Sequence, residues 1–240
     1  MIEETKKRTI KEVKINVDEM LSCGLGTGHT VSRLHPKMKA YVSGIKNNTN
    51  IIDLEKTAKE LGRALKFISN LVSDNKKIIF VGTKIQIRDL VKKAAKNCDV
   101  PYVTERWLGG TFTNFETISK RVEYFKEMEN KKVTGEFEKY TKKERLKIDR
   151  ELELLRIKFE GIKNMSKLPE AVFISDLKKD ITCAREAKRK GIFIIAIVDT
   201  NIDPTVADYP IPANDDAISS VGYILDKVSE TVKNSKNPVI

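Results

Sequence analysis

Four apolar runs stand out along the chain: Ile78-Ile79-Phe80-Val81, Tyr102-Val103, Ala171-Val172-Phe173-Ile174 and Ile192 to Val198. They are rich in β-branched residues and lack polar alternation, which suits strands of a parallel sheet covered on both faces. Weaker strand signals lie at Tyr41 to Ile45 and Tyr209-Pro210-Ile211. Helical patterns fall between them. Leu54, Ala58, Leu61, Leu65, Ile68 and Val72 form one stripe behind Asp53, an N-cap residue type. Shorter amphipathic helices are expected over 84–97 and 180–190, and a last one over 215–233. Strand and helix in this alternation predict right-handed crossovers and a doubly wound α/β fold.

The segment from Lys120 to Glu160 breaks that rhythm, with 13 basic and 10 acidic residues and no strand signal. Phe115, Ile118, Val122, Phe125 and Met128 make one helical stripe, and Ile148, Leu152, Leu155 and Phe159 a second. Gly135 breaks the stretch between them. Two narrow stripes with charged flanks predict an antiparallel, coiled-coil-like helical hairpin projecting from the body, rather than two surface helices on the sheet.

Charge narrows the function. Across 240 residues, 45 Lys and Arg face 34 Asp and Glu, a net +11 that favours a polyanionic partner. Cys23, Cys98 and Cys183 are widely spaced without a C-x-x-C, and only His29 and His35 accompany them. These residues make a poor ligand set for a structural zinc site, a disulfide framework is excluded, and a reducing compartment fits. No apolar run approaches the ~18 residues of a membrane span. The mixed charges of the first twenty residues match no targeting segment.

Catalytic patterns are weak. Gly24, Gly26 and Gly28 miss the dinucleotide-loop spacing and read as a glycine turn, while Gly82-Thr83-Lys84 lacks the upstream glycine of a phosphate loop. Asp199, Asp203, Asp208, Asp215 and Asp216 gather after the run ending at Val198. A Mg²⁺- or nucleotide-dependent enzyme would use Asp199, Asp203 and Lys84. The simpler reading makes Asp199 and Asp203 turn residues and Asp215 the cap of the last helix. A third reading is an acidic protein-docking face. His29 is open to a buried hydrogen bond or to contact with this cluster.

Basic residues cluster more tellingly. Met20 to Ile52 contains no acid but holds Arg33, Lys37, Lys39 and Lys46; residues 76–96 carry seven basic residues and Lys178 to Lys190 six. Pro36 stiffens the stretch around His35. Such stretches suit phosphate contact, and scarce aromatic residues outside the core favour structured RNA over base stacking.

The run Arg106-Trp107-Leu108-Gly109-Gly110-Thr111-Phe112-Thr113-Asn114 closely resembles the signature of the ribosomal S-two family of the small subunit. Pro36-Lys37-Met38, Phe80-Val81-Gly82-Thr83-Lys84, Leu168-Pro169-Glu170-Ala171, Ala196 to Asn201 and Asn214-Asp215-Asp216-Ala217-Ile218 extend the likeness in order, from Asp18 to Val228. The resemblance implies a flavodoxin-like three-layer α/β/α body at 18–111 and 163–232. An inserted hairpin then occupies 112–162, an N-terminal extension 1–17 and a C-terminal tail 233–240. It further implies a non-catalytic protein that holds rRNA of head and body together in a bacterial (cytoplasmic) or organellar ribosome. Neighbouring small-subunit proteins would be partners, protein S-one docking on it, with no membrane and no metal or other cofactor. Candidate RNA-binding residues are Arg33, His35, Lys37, Lys39, Lys46, Lys84, Arg106, Lys120, Lys142 and Lys143. Trp107, Gly109 and Gly110 are expected to shape the joint between body and hairpin, and Asn114 to cap the first hairpin helix. Many bacterial members have His-Phe where this chain has Gly26-Thr27 and Trp-Asn where it has Leu34-His35. Contacts of those side chains therefore do not carry over.

Overall fold

A computed structural model describes residues 13–236. Its core is a five-stranded parallel sheet of β4 (Ile78–Val81), β5 (Tyr102–Val103), β6 (Ala171–Ile174), β7 (Phe193–Val198) and β8 (Tyr209–Pro212). The strand order is β5-β4-β6-β7-β8. Helices cover both faces, so both sets of alternating side chains are buried. Ile78, Phe80, Phe173, Ile195 and Ile197 pack on one face against α2 (Leu54–Ser73), α3 (Arg88–Cys98) and α7 (Ile218–Lys236). Ile79, Val81, Val172, Ile174, Ile194 and Val198 pack on the other with Trp107, Phe112, Phe125 and α6 (Ile181–Lys190). Asp53 caps α2 as expected, its Oδ1 accepting from the amides of Glu55 and Lys56.

Several boundaries move. The helix expected over 84–97 begins only at Arg88, after a short turn at 85–87. Asp215 does not cap the last helix, which begins at Ile218; in the turn ahead of it the Asn214 amide oxygen accepts from Asp216 at 2.9 Å and Ala217 at 3.2 Å. The helix runs to Lys236, so the tail expected from 233 begins inside it. Residues 237–240 of that tail and 1–12 of the expected extension lie outside the described residues. Val13 and Ile15, its nearest described part, pack against the core ahead of α1 (Val17–Ser22).

The weak strand signal at Tyr41 to Ile45 belongs to a second sheet, whose other two strands the sequence does not announce. β1 (Thr27–Thr30), β2 (Val42–Lys46) and β3 (Thr49–Ile52) form an antiparallel sheet in the order β1-β3-β2. The supposed glycine turn is thus partly strand. Asn47 and Asn48, with φ of 49° and 59°, close the two-residue β2–β3 connection, a conformation asparagine tolerates.

The inserted segment forms α4 (Phe115–Val133) and α5 (Lys142–Phe159), which pack on one another. Lys132 pairs with Asp149 at 2.6 Å, Arg156 with Glu129 at 3.2 Å, and the Tyr124 hydroxyl donates to Glu151 at 3.0 Å. Thr141 and Glu144 make a reciprocal capping box that starts α5. After α5 the chain passes hard against β5: a Cβ on Gly161 would lie 2.1 Å from the Tyr102 carbonyl oxygen. That neighbour is backbone and cannot swing aside, so Gly161→Ala is expected to destabilise by about 1–3 kcal/mol. A denaturant midpoint unchanged from the parent would refute this.

Candidate nucleic-acid interface

The stretch from Gly28 to Tyr41 lies against the loop that follows β7. The His35 amide donates to the Thr200 carbonyl at 2.8 Å, and the His29 amide to Thr200 Oγ1 at 2.9 Å. Lys37 Nζ reaches Asp203 Oδ2 at 2.7 Å and Thr205 Oγ1 at 2.9 Å. The Lys37 ammonium, with the Thr205 hydroxyl and amide, holds the Asp203 carboxyl well below the usual range. The His35 ring looks inward to its own turn, Nδ1 accepting from the Lys37 amide at 3.3 Å. Anchored at these points, the stretch presents Arg33 and Lys39 to solvent, and Lys46 stands exposed at the end of β2. None of those three has an ion-pair partner among the described residues.

His29 does reach the aspartate cluster. Its Nδ1 lies 3.0 Å from Asp199 Oδ2, and its Nε2 lies 2.8 Å from Asn201 Nδ2 and 3.6 Å from Asp216. The hydrogen bond to Asp199 raises the imidazole pKa against the opposing effect of burial, and the charges of Asp199, Asp215 and Asp216 add to it.

Lys84 departs from its assigned role. Its side chain is only 13% exposed, and its ammonium sits 2.6 Å from Asp216, 3.2 Å from Asp215 and 3.4 Å from Asp176. It also donates to the Asp215 carbonyl at 2.8 Å. The three N–H donors of Nζ already have acceptors in the Asp215 carbonyl, the Asp215 carboxylate and the Asp216 carboxylate, so Lys84 is a largely buried counter-ion rather than a cation offered to phosphate. The Asp199, Asp203 and Lys84 trio of the enzyme reading is not assembled either: Asp199 faces His29, Asp203 faces Lys37, and Lys84 faces three other aspartates. Among the described residues no group of three or more His, Cys, Asp or Glu is placed to hold a metal ion.

The joint between the sheet and α4 is built on an acid that sequence reasoning passed over. Glu186 of α6 is 6% exposed and accepts five hydrogen bonds from the signature loop. Oε1 takes the Trp107 indole N–H at 3.1 Å and the Gly110 amide at 2.8 Å. Oε2 takes the Phe112 amide at 3.0 Å, with the Thr113 amide and hydroxyl each at 3.2 Å. Trp107 packs edge-on against Phe112, with ring centroids 4.8 Å apart. Gly110, at φ +94°, needs glycine to turn the loop toward Glu186, whereas Gly109 is exposed with open space around it. Asn114 stands at the N-cap position, just ahead of α4, but makes no side-chain cap bond to a backbone amide; its side-chain oxygen instead accepts from the Thr117 hydroxyl at 2.9 Å. One clue was available: Glu186 is the only acid between Ile181 and Lys190, and it lies on the apolar face of its helix.

Arg106 is exposed beside buried Trp107, and Lys120, Lys142 and Lys143 are exposed on α4 and α5. These four are separate from the cluster around Arg33, Lys37 and Lys39 in the chain, and each lacks an ion-pair partner among the described residues. No described helix is long and apolar enough to cross a membrane.

Comparison with known proteins agrees with the signature. The family model described as ribosomal protein S2 matches residues 20–235. The chain is 43% identical over 223 residues to the small ribosomal subunit protein uS2 of Endomicrobium trichonymphae, covering 93% of this chain and 91% of that protein. It is 42% identical over 223 residues to the same-named protein of Roseiflexus sp. (strain RS-1), covering 93% of this chain and 85% of the relative. With that of Dehalococcoides mccartyi (strain CBDB1) it shares 39% identity over 222 residues, 92% and 91% of the two chains. A match over nine-tenths of the chain, with the signature loop and its Glu186 anchor in place, leaves one assignment: the chain belongs to the ribosomal protein S2 family.

Proposed function

We propose that the chain is a structural, rRNA-binding protein of the small ribosomal subunit, without catalytic activity. The observation that carries this reading is the stretch from Gly28 to Tyr41: it is pinned to the body at both strands of contact, so Arg33 and Lys39 are held outward with little ordering left to occur on binding. The relatives are, by name, proteins of the small ribosomal subunit, which supports the same assignment here.

The finer picture rests on the topology. The order β5-β4-β6-β7-β8 is the second-first-third-fourth-fifth order of flavodoxin-like sheets, which supports that class for a body at 18–111 and 163–232. The pairs from Lys132 to Asp149 and Glu129 to Arg156 progress in opposite directions along α4 and α5, as in an antiparallel coiled-coil hairpin at 112–162. On this reading the body grips one rRNA segment through Arg33, Lys37, Lys39 and Lys46. The hairpin grips another through Lys120, Lys142 and Lys143, with Arg106 at the joint, and the two hold head and body in register. Leu146, Leu154 and Ile157, each about half exposed on α5, offer apolar surface to a neighbouring small-subunit protein, and we assign protein S-one to this platform. The ribosome would be that of a bacterium or an organelle.

The direct test is to sediment a lysate of the source organism through a gradient and locate the chain by mass spectrometry at low and high salt. Stoichiometric migration with small subunits is expected. Migration only as a free light species would overturn the reading. A second test addresses the surface: the Arg33→Ala, Lys37→Ala, Lys39→Ala triple variant is expected to weaken rRNA binding and flatten its log-log salt dependence by roughly 2–3 units. An unchanged slope would move the RNA surface elsewhere.

A further inference from the structure

At the opposite end of the sheet the molecule carries a feature that the phosphate contacts above do not use. Phe193 opens β7 and is 47% exposed; of the nine phenylalanines it alone is exposed. Its ring is held edge-on against Phe67, centroids 5.1 Å apart, and Phe67 in turn stacks on Tyr209 at 4.2 Å and 20°. The exposed ring is therefore fixed by two others rather than free to fold back. Beside it lies a groove of about 400 Å³, floored by Phe67, Leu71, Leu168, Pro169 and Ile192.

Charge around the groove decides what it suits. Its two acids are already neutralised: Asp74 pairs with Lys76 at 3.1 Å, and Glu170 accepts from Lys167 at 3.3 Å and from the Lys77 amide at 2.7 Å. Lys190, on the groove wall, has no ion-pair partner among the described residues, nor do exposed Lys188 and Arg189 in the same turn. Three cations at a helix C-terminus favour the helix dipole, but that accounts for none of the aromatic surface next to them. An apolar protein partner would cover the ring and desolvate the cations without a match. A nucleotide supplies both parts, a flat π-face for the ring and a phosphate for the cations.

We propose that this groove receives an unpaired nucleobase of RNA, stacked on Phe193, with flanking phosphates on Lys188, Arg189 and Lys190. The inference rests on the rRNA-binding reading and deepens it. Lys37 and Asp203 lie beyond the carboxyl end of β7 while Phe193 lies at its amino end, a strand of six residues or roughly 20 Å away. The chain would then hold RNA at both ends of its sheet, one end by backbone charge and the other by a flipped base.

The experiment uses the full chain and a labelled single-stranded oligoadenylate of about 12 nucleotides, within the span of strand-binding sites. Phe193→Ala is expected to weaken binding at least about 5-fold, and Phe193→Leu nearly as much, since leucine keeps apolar bulk but offers no π-face. Phe193→Trp is expected to bind at least as well as the parent, and its new fluorescence to be quenched by the oligonucleotide but not by base-free polyphosphate. Equal quenching by polyphosphate, or parental affinity in Phe193→Leu, would overturn the stacking proposal. If the oligonucleotide still depends on Arg33, Lys37 and Lys39 in that case, the broader rRNA-binding reading survives. Loss of all RNA affinity in the parent chain would overturn both.

Discussion

Replacing Glu186 by alanine is expected to destabilise the chain by about 3–5 kcal/mol, as breaking a buried charged network does. The carboxylate is the single acceptor for the Trp107 indole and the amides of Gly110, Phe112 and Thr113. Alanine leaves all four donors without it, and Trp107 and Phe112 are buried, so their N–H groups lose a partner inside the fold. Glu186→Gln keeps the shape but turns an N–H group toward these donors, so an intermediate loss of about 1–3 kcal/mol is expected. Denaturant midpoints rank the three proteins, and hydrogen exchange at 110–113 should rise before global unfolding. The acid side of the stability curve gives a second readout. Burial acts to raise the Glu186 pKa, but the Gly110 and Phe112 amides, the Trp107 indole and the Thr113 amide overcome it and hold the value below the ordinary carboxyl range. A lowered carboxyl contributes in full above its unfolded pKa and is lost as pH falls through its folded one. The parent should therefore lose stability below about pH 4.5, and Glu186→Gln should lose less over that interval. Equal stability of Glu186→Ala and the parent would show that the loop holds itself together through Trp107 and Phe112 packing alone.

Glu186 also marks where the sequence stopped being legible. The parallel sheet could be read because β4, β6 and most of β7 are buried on both faces and spell unbroken apolar runs. The stripes of α2 and α4 were legible for the same reason, as burial imposes a period. The small sheet was legible only in part. Thr27-Gly28-His29-Thr30 contains no large apolar residue and shows no pattern, and Ser43 to Lys46 are exposed on both faces, so β2 left only the weak signal at Tyr41 to Ile45. Its order comes from long-range bonds: the Ile52 amide to Gly26, the Asn50 side chain to His29, and His29 to Thr200. In the candidate interface, Arg33 and Lys39 face solvent as the run without acids suggested. Lys84 looked like the same kind of residue. Its partners lie 92, 131 and 132 positions away, at Asp176, Asp215 and Asp216, where no local pattern reveals them.

Those partners make Lys84 the second site of large effect. Lys84→Met is expected to destabilise by about 3–5 kcal/mol at pH 8, because a buried cation is removed from among carboxylates that stay behind. Asp199 and Asp215 are nearly inaccessible, at 1% and 5% side-chain exposure. The loss should shrink at pH 6. Burial, then the charges of Asp176 and Asp199, raise the Asp215 pKa from 3.8 to about 7 even with Lys84 lowering it, and removing the lysine raises it further. A raised carboxyl means that the folded chain keeps a proton which the unfolded chain has released. Asp215 thus costs stability progressively as pH climbs from about 4 to about 7, and the cost levels off above that. The variant takes up this proton more readily at pH 6 than at pH 8, so the repulsion is relieved more at the lower pH. Asp215→Asn makes the relief permanent. The Lys84→Met, Asp215→Asn double variant should recover much of the loss at pH 8 and show a flatter pH dependence than either the parent or Lys84→Met. Denaturant midpoints at the two pH values decide the matter: an equal loss at both, with no recovery in the double variant, would mean that Lys84 acts by packing alone. The same protein tests the corrected assignment on RNA. A buried counter-ion releases no counterions from a polynucleotide, so the rescued double variant should bind rRNA with the parent's salt slope. A slope flattened by roughly one unit would return Lys84 to the phosphate-binding surface.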